Sequence, residues 1–175
     1  LVWPELNPQF WMSLLPVNRP HELIVKVHTD EGVVGIGHTD QIPGIYRIDS
    51  SGKPSPNAAS RILPDLIEPL LIGKDAGDIE SRWNDMFGVT FQRRWNRNGW
   101  TRGQLMAVIA AIDMALWEIA AKRVEKPVYQ FIGGSENAIR CYMAGGYYRE
   151  GKTIEQLRRE MEVFRRQGFT AVKMR

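Results

Sequence analysis

The sequence of 175 residues predicts an α+β unit followed by the start of a parallel β/α array. Two strand patterns joined by a turn lie at residues 22–38. A long apolar helical pattern at residues 104–122 follows two shorter ones. Residues 139–174 then show a strand, a helix and a second strand, which is the order of a βαβ unit in a parallel sheet.

The N-terminal segment, residues 1–20, predicts a loop. It contains four Pro and three aromatic residues without a regular apolar period. A loop of this kind either packs on the surface or lies over a site. Residues 39–57 are rich in Gly, Pro and Ser and predict a second loop.

A β-hairpin is predicted between these loops. Apolar and polar side chains alternate over residues 22–29, which is the period of a strand. Asp30-Glu31-Gly32 is a hairpin turn signal, and residues 33–38 form the return strand. Gly35 and Gly37 in the return strand indicate that another backbone approaches closely.

Two helices are predicted after the second loop. Asn57 can cap a helix over residues 58–71, and the two Pro residues within that helix make it short or broken. Asp78 can cap the next helix, over residues 79–87.

Residues 104–122 predict the central helix of the chain. They contain neither Gly nor Pro, and their apolar positions leave little polar surface, which is typical of a buried helix. Thr101 and Gln104 form a capping box at its start. The Lys126-Pro127 step should end it.

Two acids, Asp113 and Glu118, interrupt this apolar helix. Because they divide the longest apolar run of the chain, no membrane span is expected. They are five positions apart and do not share a face. We therefore expect structural acids or subunit contacts rather than a catalytic pair.

The C-terminal part predicts the βαβ unit. Residues 139–144 form its first strand, and Thr153 caps a helix that continues to Gln167. Gly168 ends this helix, and residues 169–174 form the second strand.

Composition excludes several classes of protein. Hydrophobic residues make up 43% and charged residues 25% of the chain, which is ordinary for a globular domain. The net charge of +3 is too small to indicate a partner.

The single cysteine, Cys141, cannot form an internal disulfide, and no signal-peptide pattern opens the chain, so we expect a cytoplasmic protein. The three His residues match no zinc-ligand spacing.

The stretch QRRWNRNGWTR, residues 92–102, supports an alternative of another class. Its four Arg and two Trp residues suit stacking and phosphate contacts on single-stranded nucleic acid. The rest of the chain offers no basic stripe, so a domain or subunit contact is the preferred interpretation and no nucleic-acid partner is expected.

In this order the blocks resemble the enolase superfamily, and within it the mandelate racemase/muconate lactonizing enzyme type. LIVKVHTDEGVVGIGH is similar to the hairpin of the capping domain, and ALWEIAAK with PVYQFIGG to its last helix and the entry into the barrel. GFTAVKMR is similar to the second barrel strand. The resemblance implies an N-terminal fragment. Residues 1–127 would form an α+β capping domain (antiparallel sheet plus helical bundle) without its first strand, and residues 128–175 the first two strands and first helix of a (β/α)7β TIM-like barrel.

The resemblance also implies a reaction. Members abstract the proton alpha to a carboxylate and form an enolate, with Mg²⁺ as a Lewis acid. Acid-sugar dehydration is the preferred activity, and racemisation, epimerisation or cycloisomerisation share its first step. The substrate would be an acid sugar or hydroxy acid, and the full-length protein a homo-oligomer. The acidic Mg²⁺ ligands are expected beyond residue 175 and none within this chain, so the fragment alone should be inactive.

Five site residues follow from the resemblance. In the family, the second barrel strand usually ends in Lys-x-Lys, and the second Lys is the base. In this sequence the stretch is Lys173-Met174-Arg175, so Arg occupies the position of that base. Lys173 and Arg175 share one face of a strand and are the expected catalytic residues, although Arg is a poor base and better suited to neutralise a carboxylate or enolate. The alternative is a polar strand end without a catalytic role.

Trp11, Tyr46 and Tyr147 are the expected substrate contacts. Trp11 and Tyr46 lie in the two loops that match mobile capping-domain loops, and Tyr147 follows the first barrel strand. The alternative is that these aromatics are packing anchors. Two further departures from the family pattern are Glu125, where Gly is frequent, and His38, where an acid is frequent.

Overall fold

The computed structural model describes residues 10–12, 15–17, 22–40, 49–53, 55, 58–92 and 99–174. The strands are β1 (Phe10–Met12), β2 (Leu15–Val17), β3 (Glu22–His28), β4 (Val34–Asp40), β5 (Met143–Gly145) and β6 (Val172–Met174). The α-helices are α1 (Glu68–Leu71), α2 (Ile79–Gly88), α3 (Arg102–Arg123), α4 (Val128–Phe131) and α5 (Ile154–Arg166).

Two compact units divide the chain. One contains residues 21–135 with residue 1, and the other contains residues 2–20 and 136–175. The domain boundary predicted between residues 127 and 128 stays a prediction.

The hairpin β3–β4 has the predicted antiparallel pairing, from Glu22 opposite Asp40 to His28 opposite Val34. At the turn, Gly32 adopts a left-handed conformation with φ +80°, which suits a residue without Cβ. The return strand extends two residues beyond the predicted end at His38.

The central helix α3 packs directly against β4. A Cβ atom on Gly35 would lie 2.1 Å from the carbonyl oxygen of Ala115, and one on Gly37 would lie 1.5 Å from that of Ala111. The close backbone approach predicted from the two glycines is therefore confirmed. Around this contact, α3 supplies about half of the core, which also includes Val25, Ile62, Ile67, Met86 and Trp100.

One face of α3 is open among the described residues. Met114 is 45% and Trp117 37% exposed, so the described residues do not cover this face and its burial stays a prediction. By length and composition, α3 is also the one described helix that could cross a membrane, contrary to the expectation from its acids. A core helix meets the same criterion, and nine residues of α3 are buried.

The two acids of α3 are structural, as predicted. Glu118 accepts the Ile36 backbone N–H and pairs with Lys122 at 3.1 Å. The Lys122 ammonium donates to the Val34 carbonyl at 2.7 Å, so both side chains bind the β4 backbone. Burial raises the pKa of Asp113, and a hydrogen bond from Trp117 partly offsets this effect.

The ends of the helices follow the predicted signals in most places. Asp78 accepts the Ser81 N–H at the start of α2, and Thr101 and Gln104 form the complete capping box of α3. The helix predicted over 58–71 is broken, as its Pro residues require: a 3₁₀ turn, a π turn and the short α1 follow one another. The proposed cap Asn57 lies outside the described residues, and Ala58 takes the N-cap position without a side-chain bond.

The C-terminus of α3 is a Schellman motif with an unusual residue. Lys126 N–H donates to the Ala121 carbonyl and Glu125 N–H to that of Lys122, while Glu125 has φ +54°. The helix therefore ends at Arg123, before the predicted stop at Lys126-Pro127. Glu125, which stands where Gly is frequent in the family, thus holds a left-handed conformation.

Residues 1–20 are not entirely a loop. β1 and β2 form a short antiparallel ladder in which Trp11 lies opposite Pro16. The prediction of a loop is wrong for these six residues. Strands of three residues are too short to show a period, and Pro within a strand argues against one except at an edge.

In the second unit, β5 and β6 form the predicted parallel pair with α5 between them in sequence. Thr153 and Gln156 form a complete capping box at the start of α5, and Gly168 after its end has φ +93°. Both strands are shorter than predicted, at three residues each. Ile139, for example, is 86% exposed and lies outside β5.

Candidate active site

The carboxyl ends of β5 and β6 lie side by side. Met143 is opposite Val172, Ala144 opposite Lys173, and Gly145 opposite Met174. Because the strands are parallel, the segments that follow them start from one edge. In β/α proteins this edge is where ligands bind.

Lys173 lies on the face of this sheet that α5 does not cover. A Cβ atom on Gly145 would lie 2.5 Å from the Phe164 ring of α5, so the Gly145 side of the sheet faces the helix. Side chains alternate along a strand, which places Ala144 and its neighbour Lys173 on the opposite face. There the Lys173 ammonium is 6.0 Å from the centroid of the Tyr142 ring. Both side chains are exposed among the described residues.

The loop after β5 is fixed by a carboxylate from α5. Gly146 has φ +73°, and its N–H donates to Glu160 Oε1 at 3.1 Å. Lys152 at the far end of the loop forms an ion pair with Glu160 and donates to the Tyr147 carbonyl at 3.0 Å. The Lys152 side chain is 11% exposed and that of Glu160 23%.

The carboxyl group of Glu160 titrates below its ordinary range. Burial by itself raises the pKa of Glu160, but the hydrogen bonds from Lys152 and Gly146 and the charges of Lys152 and Arg149 together lower it. The group is therefore ionised at neutral pH, where it is the anionic partner that Lys152 requires.

The structure locates two of the five predicted site residues. Lys173 is the middle residue of β6, and Tyr147 is the second residue after β5. The Tyr147 side chain is half-buried. Trp11 lies in β1, but its side chain is outside the described structure, as are Tyr46 and Arg175 altogether. The roles of all five stay predictions.

Sequence reasoning missed three residues of this edge: Tyr142, Lys152 and Glu160. The adjacent Gly145-Gly146 at a strand end was a signal of close packing, and it could have directed attention to the loop. A second signal was the helical spacing of Glu160, which lies three residues after Leu157 and four before Phe164 on the apolar face of α5. The other acids of α5, Glu155 and Glu162, each have an Arg three or four residues away.

The described residues do not by themselves provide a metal site. Within the described ranges, no three His, Cys, Asp or Glu side chains come together in a way that could hold a metal ion. The edge around Lys173 presents an ammonium group and an aromatic ring, which are not Mg²⁺ ligands. These residues therefore do not fit the metal, and its ligands would have to come from other residues.

Two residues of the Arg- and Trp-rich stretch, Trp100 and Arg102, pack within the first unit. Trp100 is 2% exposed and belongs to the core. The Arg102 guanidinium lies 6.0 Å from the Phe87 ring centroid and 5.9 Å from that of Phe91. The buried Trp100 is not available for base stacking, and residues 93–98 lie outside the described structure, so the nucleic-acid alternative stays a prediction for the rest of the stretch.

Comparison with known proteins gives a family match over most of the chain. The profile described as "Mandelate racemase / muconate lactonizing enzyme, N-terminal domain" matches residues 2–133. An arabinonate dehydratase of Saccharolobus solfataricus is 32% identical over 158 residues, covering 90% of this chain and 38% of the relative. A D-galactonate dehydratase family member of Paenibacillus sp. is 36% identical over 154 residues, covering 86% of this chain and 32% of the relative.

Solved structures show the same fold. A mandelate racemase/muconate lactonizing enzyme superposes with a TM-score of 0.80 at 26% identity, over 100% of this chain and 43% of the other. Another, from a marine actinobacterium in complex with magnesium, gives a TM-score of 0.71 at 25% identity, over 99% and 42%. The chain thus spans less than half the length of the proteins it matches.

Proposed function

This chain belongs to the mandelate racemase/muconate lactonizing enzyme family of the enolase superfamily, and from that premise we propose that the complete protein is an acid-sugar dehydratase. The observation that carries the proposal is the position of Lys173. It is the middle residue of β6, one position before the carboxyl end of that strand, on the face opposite α5 and beside Ala144 of β5. The relatives named arabinonate dehydratase and D-galactonate dehydratase family member support the substrate class.

The proposed reaction begins with proton transfer to Lys173. The neutral amine takes the proton alpha to the substrate carboxylate, and the electron pair left on carbon forms an enolate. The β-hydroxyl group then leaves as water by taking up the proton that the Lys173 ammonium holds, which gives an enol that tautomerises to the 2-keto-3-deoxy acid. Arg175 follows Lys173 by two residues in the sequence, and we propose that its cation balances the negative charge of the carboxylate and enolate.

A divalent metal would add to this charge stabilisation when bound. The marine actinobacterial relative is a complex with magnesium, which supports Mg²⁺ as the cofactor. Because the described residues do not fit the metal, we propose that its ligands lie beyond residue 175.

Aromatic side chains would hold the substrate. We assign this role to Trp11 and Tyr46 from the N-terminal segments and to Tyr147 after β5. Homo-oligomeric assembly and a cytoplasmic location complete the proposal, the latter from the single cysteine, Cys141.

The test uses the complete protein that contains this chain, with Mg²⁺ and a panel of acid sugars in D₂O. We expect deuterium to enter at the alpha carbon and the 2-keto-3-deoxy product to form. Lys173→Met should abolish both, whereas Lys126→Met, which removes an exposed Lys near the end of α3, should leave both unchanged. Exchange without loss of water would instead indicate racemisation or epimerisation. Full exchange by the Lys173→Met variant would refute the role of this residue.

A further inference from the structure

The loop between β5 and α5 has both ends tied to one carboxylate. Glu160 lies two turns into α5 and reaches back to the N–H of Gly146, the first residue after β5. Its other oxygen pairs with Lys152, the last loop residue before the Thr153 cap. A helix side chain thus bridges the start and the end of the loop.

From this arrangement we propose that Lys152 and Glu160 are positioning residues for the substrate contact made by Tyr147. This inference depends on the proposed function, because it assumes that Tyr147 contacts the acid sugar. Lys152 donates to the Tyr147 carbonyl at 3.0 Å, and Gly146 immediately before Tyr147 is held by Glu160. The backbone on both sides of the Tyr147 Cα atom is therefore fixed by this pair.

Close packing reinforces the same conformation. A Cβ atom on Gly145 would lie 2.5 Å from Phe164 and 3.2 Å from Glu160 Oε1. One on Gly146 would lie 3.2 Å from the Met174 side chain of the neighbouring strand. The loop begins where strand and helix leave room for glycine only, so it cannot shift toward α5.

Loss of either charge, Lys152 or Glu160, should destabilise the closed conformation of the loop. Lys152 and Glu160 are both mostly removed from solvent, at 11% and 23% side-chain exposure. Removing one partner leaves the other charge unpaired and partly desolvated, which destabilises the closed loop unless the loop opens to water. Removing both partners leaves no unpaired charge, so the closed loop is destabilised less.

The test again uses the complete protein. Glu160→Gln keeps an acceptor for the Gly146 N–H but removes the ion pair, and Lys152→Met removes the donor to Tyr147. In each we expect KM for the acid sugar to rise at least about tenfold, with a smaller effect on kcat. Exchange of the Gly146 and Tyr147 amides with D₂O should become at least about tenfold faster. Lys152→Arg should restore part of the wild-type KM and part of the slow amide exchange, because it keeps the positive charge and a hydrogen-bond donor.

The double variant Lys152→Met with Glu160→Gln should be less impaired than the sum of its single variants. Glu155→Gln, on the exposed side of α5, is the control and should change neither readout. A purely structural brace would lower the thermal midpoint of unfolding while KM at 25 °C stayed within about twofold of wild type, and this result would overturn the proposal.

The outcomes also separate the two proposals. A wild-type protein that is inactive on every acid sugar would refute the proposed function and, with it, the substrate contact of Tyr147. Amide exchange would still decide whether Lys152 and Glu160 hold the loop. An active wild type with unchanged KM and amide exchange in both single variants would refute the positioning role alone.

Discussion

Gly37 lies so close to Ala111 that a Cβ atom on Gly37 would stand 1.5 Å from the Ala111 carbonyl oxygen. Gly35, two residues earlier in β4, has the same relation to Ala115, one helical turn later in α3. Two residues of strand and one turn of helix have nearly equal lengths, about 6 Å each. The strand and helix therefore share two backbone contacts in register.

This contact predicts that Gly37→Ala destabilises the protein. The added methyl group meets backbone rather than a flexible side chain, so strand and helix must separate. We expect a loss of about 3 kcal/mol or more in the free energy of unfolding, measured by urea denaturation. The control is Gly88→Ala at the end of α2, where a Cβ atom would meet nothing within 4 Å. It should be neutral or stabilise by up to about 1 kcal/mol, and equal effects in the two variants would contradict the packing account.

Glu125→Gly should stabilise the protein. Glu125 holds the left-handed position of the Schellman motif at φ +54°, which costs a residue with Cβ about 1 kcal/mol. The measurement is the shift of the urea midpoint. Glu125→Ala removes the same carboxylate but keeps the Cβ atom, so it should show little of the gain. A gain of similar size in the Ala variant would assign the effect to charge.

Glu118→Leu should destabilise the first unit by about 1 kcal/mol, because the Ile36 N–H loses its acceptor and Lys122 its anionic partner. Glu118→Gln, which can still accept from Ile36, should lose less. Asp65→Asn breaks an exposed ion pair with Arg61 and is the matched control, expected to cost no more than about 0.5 kcal/mol. A cost in Asp65→Asn as large as in Glu118→Leu would show that the backbone contact adds nothing.

Asp78 should make stability depend on pH at the acid end. Hydrogen bonds from the Ser81 side chain and backbone lower the pKa of Asp78 in the folded state. The contribution of the carboxylate is thus complete above its unfolded pKa of about 3.9 and is lost as pH falls through the lower folded value. Asp78→Asn cannot titrate, so the stability advantage of wild type over this variant should shrink as pH falls from 6 to about 2. A difference that is constant with pH would exclude a role for the charge.

Arg175 should act through its charge rather than as a base. In the complete protein, Arg175→Lys should keep most of the deuterium exchange into the acid sugar, while Arg175→Gln should lower kcat by about 10²-fold. The Gln variant removes the cation that balances the enolate but keeps a hydrogen-bond donor. Wild-type exchange rates in Arg175→Gln would contradict this role.

Local signals in the sequence predicted the elements whose causes are themselves local. The caps at Asp78, Thr101 and Thr153 need only a side-chain oxygen and the N–H two or three residues later. The hairpin turn at Gly32 needs one glycine at positive φ. The parallel pair β5–β6 followed from the order of strand, helix and strand, because a crossover helix leaves few other pairings. Short β1 and β2 escaped detection, since three residues cannot establish a period.

The candidate site was predictable only in part. Lys173 could be placed from the strand pattern and the family resemblance, because alternation fixes its face once the strand is known. Lys152 and Glu160 could not, since an acid and a base eight residues apart become partners only when the loop between them folds back. That distance is a property of the tertiary structure.

The sequence by itself determined the order of the longer elements, the caps at Asp78, Thr101 and Thr153, the breaks at proline and the family to which the chain belongs. These depend on backbone preferences and hydrogen bonds between near neighbours, which act in any context. The tertiary structure alone decided which glycines contact which carbonyl groups, which side of α3 the described residues leave uncovered, and which carboxylate holds the loop beside Tyr147. Such contacts join residues far apart in the chain, and their energy depends on distances of a few tenths of an ångström, which periodicity does not encode.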